Sequence, residues 1–244
     1  MIGVLGGAPA HAAEITALPA PSGSGIERGV AIVRCATPKQ EVFWSSRAAI
    51  LDVAATGDVL LTTAHGLPTD AHAVMRDCRV LVRGKPQSIV DVWRGGDRAS
   101  PEADWAVILT KRIAEDMQRW RLARPTAEWM AGAVAAKAPV RLVLRYADSA
   151  QSDCRLEPRT PDLQGLLAHS CVTYPGTSGS PLVMAIDGQP MLIGIHLGTQ
   201  VLFDGRKLDF ISVARSIDAE VGAAVDSASA RAASLPAPRR RAQR

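Results

Sequence analysis

The string Gly176-Thr177-Ser178-Gly179-Ser180-Pro181 places one hydroxyl among small residues. A serine hydroxyl is a weak nucleophile, so using it against a carbonyl requires a base beside it and donors for the oxyanion that forms. Small neighbours permit a sharp turn and let backbone amides come close, which makes the Gly176 and Ser178 N–H groups candidates for an oxyanion hole. An ordinary Gly/Ser/Pro turn reads the same way, so the string needs company. Upstream, Val59-Leu-Leu-Thr-Thr-Ala64-His65 sets a histidine at the end of an apolar run, where an imidazole can serve as the base. Asp104 opens the apolar run Asp104-Trp-Ala-Val-Ile-Leu109. A carboxylate among apolar residues needs a charged or hydrogen-bonding partner, and orienting a histidine is one such use. Taken singly, His65 reads equally as a core histidine and Asp104 as a solvated strand end.

The elements that must carry these groups are short. Val30–Cys35, Glu41–Trp44, Val59–Thr62, Arg79–Val82, Ile89–Trp93 and Asp104–Leu109 are strand-length segments between turn residues. Val140–Tyr146, Gly165–His169, Pro181–Ala185, Met191–Ile195 and Leu208–Ser212 repeat the pattern further on. Many short strands at close spacing argue for barrels or sandwiches rather than a parallel α/β sheet. Val213, Ile217, Val221 and Val225 recur at helical spacing and predict a closing helix packed on the second half.

Hydrophobic residues at 47% and charged residues at 21% suit a packed core. No apolar run reaches the length of a membrane helix, so no membrane span is expected. The net charge of +4 is misleading, because Arg231, Arg239, Arg240, Arg241 and Arg244 crowd the last residues. Without them the balance is slightly negative, which speaks against a nucleic-acid partner, and the tail itself reads as disordered. Ala13 to about Ile26 reads as a loose lead-in, while Ala10-His11-Ala12 has the small-x-small pattern of a signal-peptidase site. Export follows as the expectation, to a secreted or periplasmic location. Cys35, Cys78, Cys154 and Cys171 allow three pairings, which sequence does not choose between. For an exported chain the expectation is one bridge per half, Cys35–Cys78 and Cys154–Cys171; for a cytosolic one, free thiols. No C-x-x-C pair and no His-Glu-x-x-His string is present, so no metal is expected.

Leu61-Thr-Thr-Ala64-His65, Asp104-Trp-Ala-Val-Ile-Leu109 and Gly176-Thr-Ser-Gly-Ser-Pro181 stand in the order His, Asp, Ser. In this the chain resembles the trypsin-like (chymotrypsin-fold) serine peptidases over about residues 28 to 225. The resemblance implies an all-β fold of two antiparallel Greek-key six-stranded β-barrels with a C-terminal helix. Together with the lead-in and tail read above, it divides the chain into a signal remnant or lead-in (1–26), a first barrel (27–118), a connection (119–137), a second barrel plus helix (138–228) and a basic tail (229–244). It implies a serine endopeptidase with His65, Asp104 and Ser178 as triad, Gly176 and Ser178 as oxyanion hole, no cofactor, and a protein or peptide substrate. Ser178-Gly-Ser-Pro181 and Gly194-Ile-His196 are similar to the bacterial glutamyl-endopeptidase branch. There the positions matching Thr173 and His196 line a pocket for acidic side chains, a role that imidazole and hydroxyl donors suit. His11, His72 and His169 look incidental.

Two features depart from the family pattern. Thr177 stands where digestive enzymes have an aspartate that pairs with a new amino terminus, and no Ile-Val-Gly-Gly start exists, Gly29-Val30 being a poor substitute. Activation by that ion pair is therefore not expected. An α/β-hydrolase would need Gly-x-Ser-x-Gly and the order Ser, acid, His; here Ser180 takes the last glycine's place, His65 precedes the serine, and His196, 18 residues after Ser178, leaves little room for the required elements. The remaining alternative is a catalytically silent binding or scaffold protein of the same fold, its cleft blocked by short loops, Trp105 or Tyr174. Natural substrate and oligomeric state are not legible.

Overall fold

The computed structural model describes residues 14–16, 29–37, 40–54, 56–96, 100–112, 117–144, 154–158, 165–203 and 208–235. After β1 (Ile15–Thr16), the first half contributes β2 (Val30–Thr37), β3 (Gln40–Ile50), β4 (Gly57–Thr62), α1 (Ala71–Asp77), β5 (Cys78–Val82), β6 (Lys85–Arg94) and β7 (Ala106–Lys111). Its six strands β2 to β7 close antiparallel in the ring order β2-β3-β4-β7-β6-β5. The connection carries β8 (Arg121–Leu122) and α2 (Ala127–Ala135), the latter capped by Thr126 Oγ1 on the Trp129 N–H at 3.1 Å. The second half follows with β9 (Pro139–Leu142), β10 (Cys154–Glu157), β11 (Leu166–His169), β12 (Pro181–Ile186), β13 (Gln189–Phe203) and β14 (Leu208–Ser216), then α3 (Ala219–Ala233).

The second ring runs β12-β9-β10-β11-β14-β13 and closes through β12–β13, again antiparallel throughout. Counted from the first strand of each barrel, both rings have the order first, second, third, sixth, fifth, fourth. In each, the fourth strand lies beside the first, as a Greek key requires. The fold is thus two six-stranded antiparallel barrels with a C-terminal helix. Closure removes the free edges that would otherwise invite strand pairing between chains. Each barrel holds one disulfide: Cys35–Cys78 joins neighbouring strands β2 and β5, and Cys154–Cys171 joins β10 to the residues after β11. Among the described residues no helix is long and apolar enough to cross a membrane.

Several elements differ from their sequence-based bounds. The lead-in is not loose throughout: Ile15 and Thr16 pair with Ile186 and Ala185 at the β12 edge. Met1–Ala13, with the small-x-small pattern, and residues 236–244, with four of the five tail arginines, lie outside the described residues. Val213 belongs to β14, and the helix begins only after Asp218, whose carboxylate caps the Glu220 and Val221 N–H groups. It runs on past 228 to Ala233, so Arg231 is helical rather than part of a tail.

The helix also packs elsewhere than expected. Val221, Val225, Ala228 and Ala232 lie against Val59, Leu61, Val107 and Leu109 on the outside of the first barrel, not on the second. The reason is in β4 and β7, whose apolar runs do not alternate. Leu60 and Ile108 point into the first barrel, while their neighbours point outward and need a second cover. Two polar contacts fix the helix there, Ser229 Oγ to the Val53 carbonyl and Thr56 Oγ1 to the Ala232 carbonyl, both at 2.5 Å. Val143, Val183, Leu192 and Ile195 of the second half join the same cluster with Trp105 and Trp120, so one core spans the inter-barrel seam. Replacing Val225 by Asp puts an unpaired carboxylate into this seam. The expected loss is about 3 kcal/mol or more of unfolding free energy, read from a urea titration.

Candidate active site

Strand β4 ends at Thr62, and the chain turns through buried Thr63 and Ala64 to half-exposed His65. Asp104 does not open β7. It caps a single 3₁₀ turn at Pro101–Ala103 just before the strand, and is 8% exposed. Because β4 and β7 are hydrogen-bonded neighbours, their ends bring the two groups together. His65 Nδ1 lies 2.6 Å from Asp104 Oδ2. The other carboxylate oxygen, Oδ1, accepts the backbone N–H groups of Ala64 at 2.9 Å and His65 at 2.8 Å. Three hydrogen bonds thus compensate the burial of this acid, and two of them also fix the backbone that carries the histidine.

Ser178 arrives from the second barrel on the turn before β12. Gly176 and Gly179 both take left-handed backbone conformations, φ 89° and 80°, which only glycine adopts without strain. At Gly179 space is the stronger demand, since a Cβ there would overlap the Arg47 carbonyl. The turn is held from three sides. Ser178 O accepts from Arg47 N of the first barrel at 2.7 Å, and Gly179 N donates to His196 O at 2.7 Å. Thr177 is buried; its N–H and Oγ1 both donate to Tyr174 O, at 3.1 and 2.7 Å. Among the described backbone hydrogen bonds, neither Gly176 N–H nor Ser178 N–H has an acceptor. Ser178 Oγ donates to the Leu197 carbonyl at 3.0 Å, and no hydrogen bond joins it to His65.

His65 and Asp104 are therefore in direct contact. The Ser178 turn docks on Arg47 and on Thr62, three residues before His65. Trp105 is buried in the inter-barrel core and does not enter a cleft. Tyr174 is exposed, with the Arg47 guanidinium 5.7 Å from its ring centre. A second arginine, Arg215 on β14, reaches the other way. It is 2% exposed and donates to the Glu102 carbonyl, two residues before Asp104, at 2.5 Å. Its far end meets Asp218 Oδ2 at 2.7 Å and Glu220 Oε2 at 3.3 Å.

The two expected pocket residues part company. Thr173 lines an open cavity of about 430 Å³ with Glu157, His169, Val172, Thr199, Phe210 and Ser212 among its walls, and its hydroxyl meets those of Thr199 and Ser212 at 3.3 and 3.2 Å. His196 is 1% exposed and is not part of that wall. Its Nδ1 faces His169 Nε2 at 3.2 Å, so His169 is no bystander. Strand periodicity places the two rings on one side of adjacent β11 and β14 and the paired β13, a relation across strands that spacing along the chain hides. Burial pushes His169 down to about 3, with His196 beside it adding to the effect. Burial likewise pushes His196 down to about 4, opposed by a hydrogen bond to the Val213 backbone and reinforced by His65 and Arg47. Both rings are neutral at pH 7. Among the described residues no three His, Cys, Asp or Glu side chains converge as a metal site requires.

No protein-family model matches this chain, and no curated protein matches it in sequence. The two depressed histidines carry their own consequence for stability. Below their ordinary value of 6.5 the unfolded chain takes up protons that the folded one refuses, so stability is full above pH 6.5 and falls as pH drops towards 4. Urea midpoints should fall between pH 6.5 and 5, a window above most carboxylate titration, and His169→Leu should flatten that slope.

Proposed function

We propose that the chain is a serine endopeptidase of the trypsin-like class, exported to an oxidising compartment, with His65, Asp104 and Ser178 as its triad. One observation carries the reading: a buried aspartate accepts His65 Nδ1 at 2.6 Å while binding the histidine's own backbone. Such a pair fixes the imidazole tautomer that leaves Nε2 free to take a proton, and it stabilises the imidazolium that results. Ser178 Oγ forms a bond to the scissile carbonyl carbon as its proton passes to His65. The carbonyl electron pair moves to oxygen, between the Gly176 and Ser178 N–H groups. Collapse of that adduct expels the amine, which takes the proton from His65; water then releases the acyl group by the same route. This chemistry calls for no metal or organic cofactor. The two disulfides support the oxidising location.

An acidic preference is not part of the proposal. His196 is buried, is committed to His169 and the Val213 backbone, and is not among the residues that line the cavity at Thr173. A second reading, a silent scaffold of the same fold, has one observation in its favour: Ser178 Oγ is bonded to Leu197 O rather than to His65. A fluorophosphonate probe tells the two readings apart. The wild type should label and Ser178→Ala should not. His65→Ala should lower peptide turnover by on the order of 10⁴-fold with the fold intact. Folded wild type that refuses the probe would sink the peptidase reading in favour of the scaffold.

A further inference from the structure

Arg47 sits on β3, in the first barrel, one residue before the buried run Ala48-Ala49-Ile50-Leu51. It is only 9% exposed, and among the described residues no carboxylate pairs with it. A buried cation without a counter-ion is unfavourable unless something else compensates it. Its partners are carbonyl and ring groups of the second barrel. Nη1 donates to the Gly176 carbonyl, and the guanidinium lies 5.7 Å from the Tyr174 ring centre. The backbone of the same residue donates to Ser178 O and leaves no room for a side chain at Gly179. One residue therefore contacts the turn at positions 174, 176, 178 and 179.

The Gly176–Thr177 peptide is pinned at both ends as a result. Its carbonyl receives Arg47 and its N–H is spent on Tyr174 O. The N–H groups on either side, of Gly176 and Ser178, are the two that stay without acceptors. We infer that Arg47 is a positioning residue for the hydrolysis proposed above: its guanidinium fixes the oxyanion turn from across the inter-barrel seam, and its uncompensated charge favours the anion that forms there. Thr177 cannot supply this by an ion pair, so the turn is held from outside itself. The inference rests on the peptidase reading for its effect on rate, but not for its effect on the turn.

The test uses the full chain as wild type, Arg47→Met, Arg47→Lys and Arg47→Ala. It measures kcat and KM for a peptide amide and records amide NMR spectra of the four. Arg47→Met should lower kcat by on the order of 10²-fold, as loss of an oxyanion donor does. KM should stay within about threefold, since substrate binding is not the target. The Gly176 and Ser178 amide signals should move, and Arg47→Lys should restore much of the rate. Millimolar ethylguanidinium should rescue Arg47→Ala in part. An Arg47→Met enzyme within about threefold of wild-type kcat overturns the inference, as does a loss carried by KM alone. If Arg47→Met fails to fold, the Lys variant and the rescue decide the matter on the same terms. Wild type that cleaves nothing rejects the peptidase reading; the turn's amide signals then show separately whether Arg47 holds it, and signals unmoved in Arg47→Met reject that too.

Discussion

The backbone of one barrel comes within hydrogen-bonding distance of the backbone of the other, at Arg47 N and Ser178 O, 2.7 Å apart. That approach is possible only because residue 179 has no side chain. Much else at the site follows from it. The serine turn is referenced directly to the first barrel, in which His65 and Asp104 are already locked together through the β4 and β7 ends. Groups from separate cores thus share one frame without a long loop between them. Such a frame is what a reaction with small tolerances for misplacement needs.

Arginines supplement that contact in both directions. Arg47 belongs to the first barrel and grips the second barrel's turn, whereas Arg215 belongs to the second and grips the segment just before Asp104. Their electrostatic settings differ. Arg215 is balanced by Asp218 and Glu220 at the start of α3, so its charge is spent locally. Arg47 faces carbonyls and an aromatic ring. The first is built as a structural tie. The second leaves positive potential beside the serine.

The residues of the candidate site were readable because each carries a local signature. Ser178 lies in a string of small residues, His65 at the end of an apolar run, and Asp104 at the head of another such run. Strand spacing pointed to barrels or sandwiches, and only the resemblance narrowed this to two barrels; the disulfides are the pairing expected of an exported chain, one of three that sequence left open. What sequence concealed depends on relations between strands. Val213 fits a helical stripe, yet its neighbours on β11 and β13 make it sheet. His169 and His196 are 27 residues apart along the chain and 3.2 Å apart in space. Arg47 looks like a solvated charge until the second barrel covers it. The docking of α3 had a legible cue that the periodicity argument passed over: Val59-Leu-Leu61 and Val107-Ile-Leu109 are apolar without alternation, as strands covered on both faces must be.

The course of α3 has a mechanical side. Both disulfides lie within a barrel and none crosses the seam, so no covalent bond other than the connecting chain keeps the halves together. The helix grows out of the second barrel's last strand and lies along the first, with Val221 to Ala232 seated on β4 and β7. It acts as a strap. A load that draws the barrels apart must peel this helix from its seat before the seam between them can open, and the contact between Arg47 and the serine turn lies within that seam. Cohesion of the halves and integrity of the site are therefore borne in series by the same fifteen-residue element.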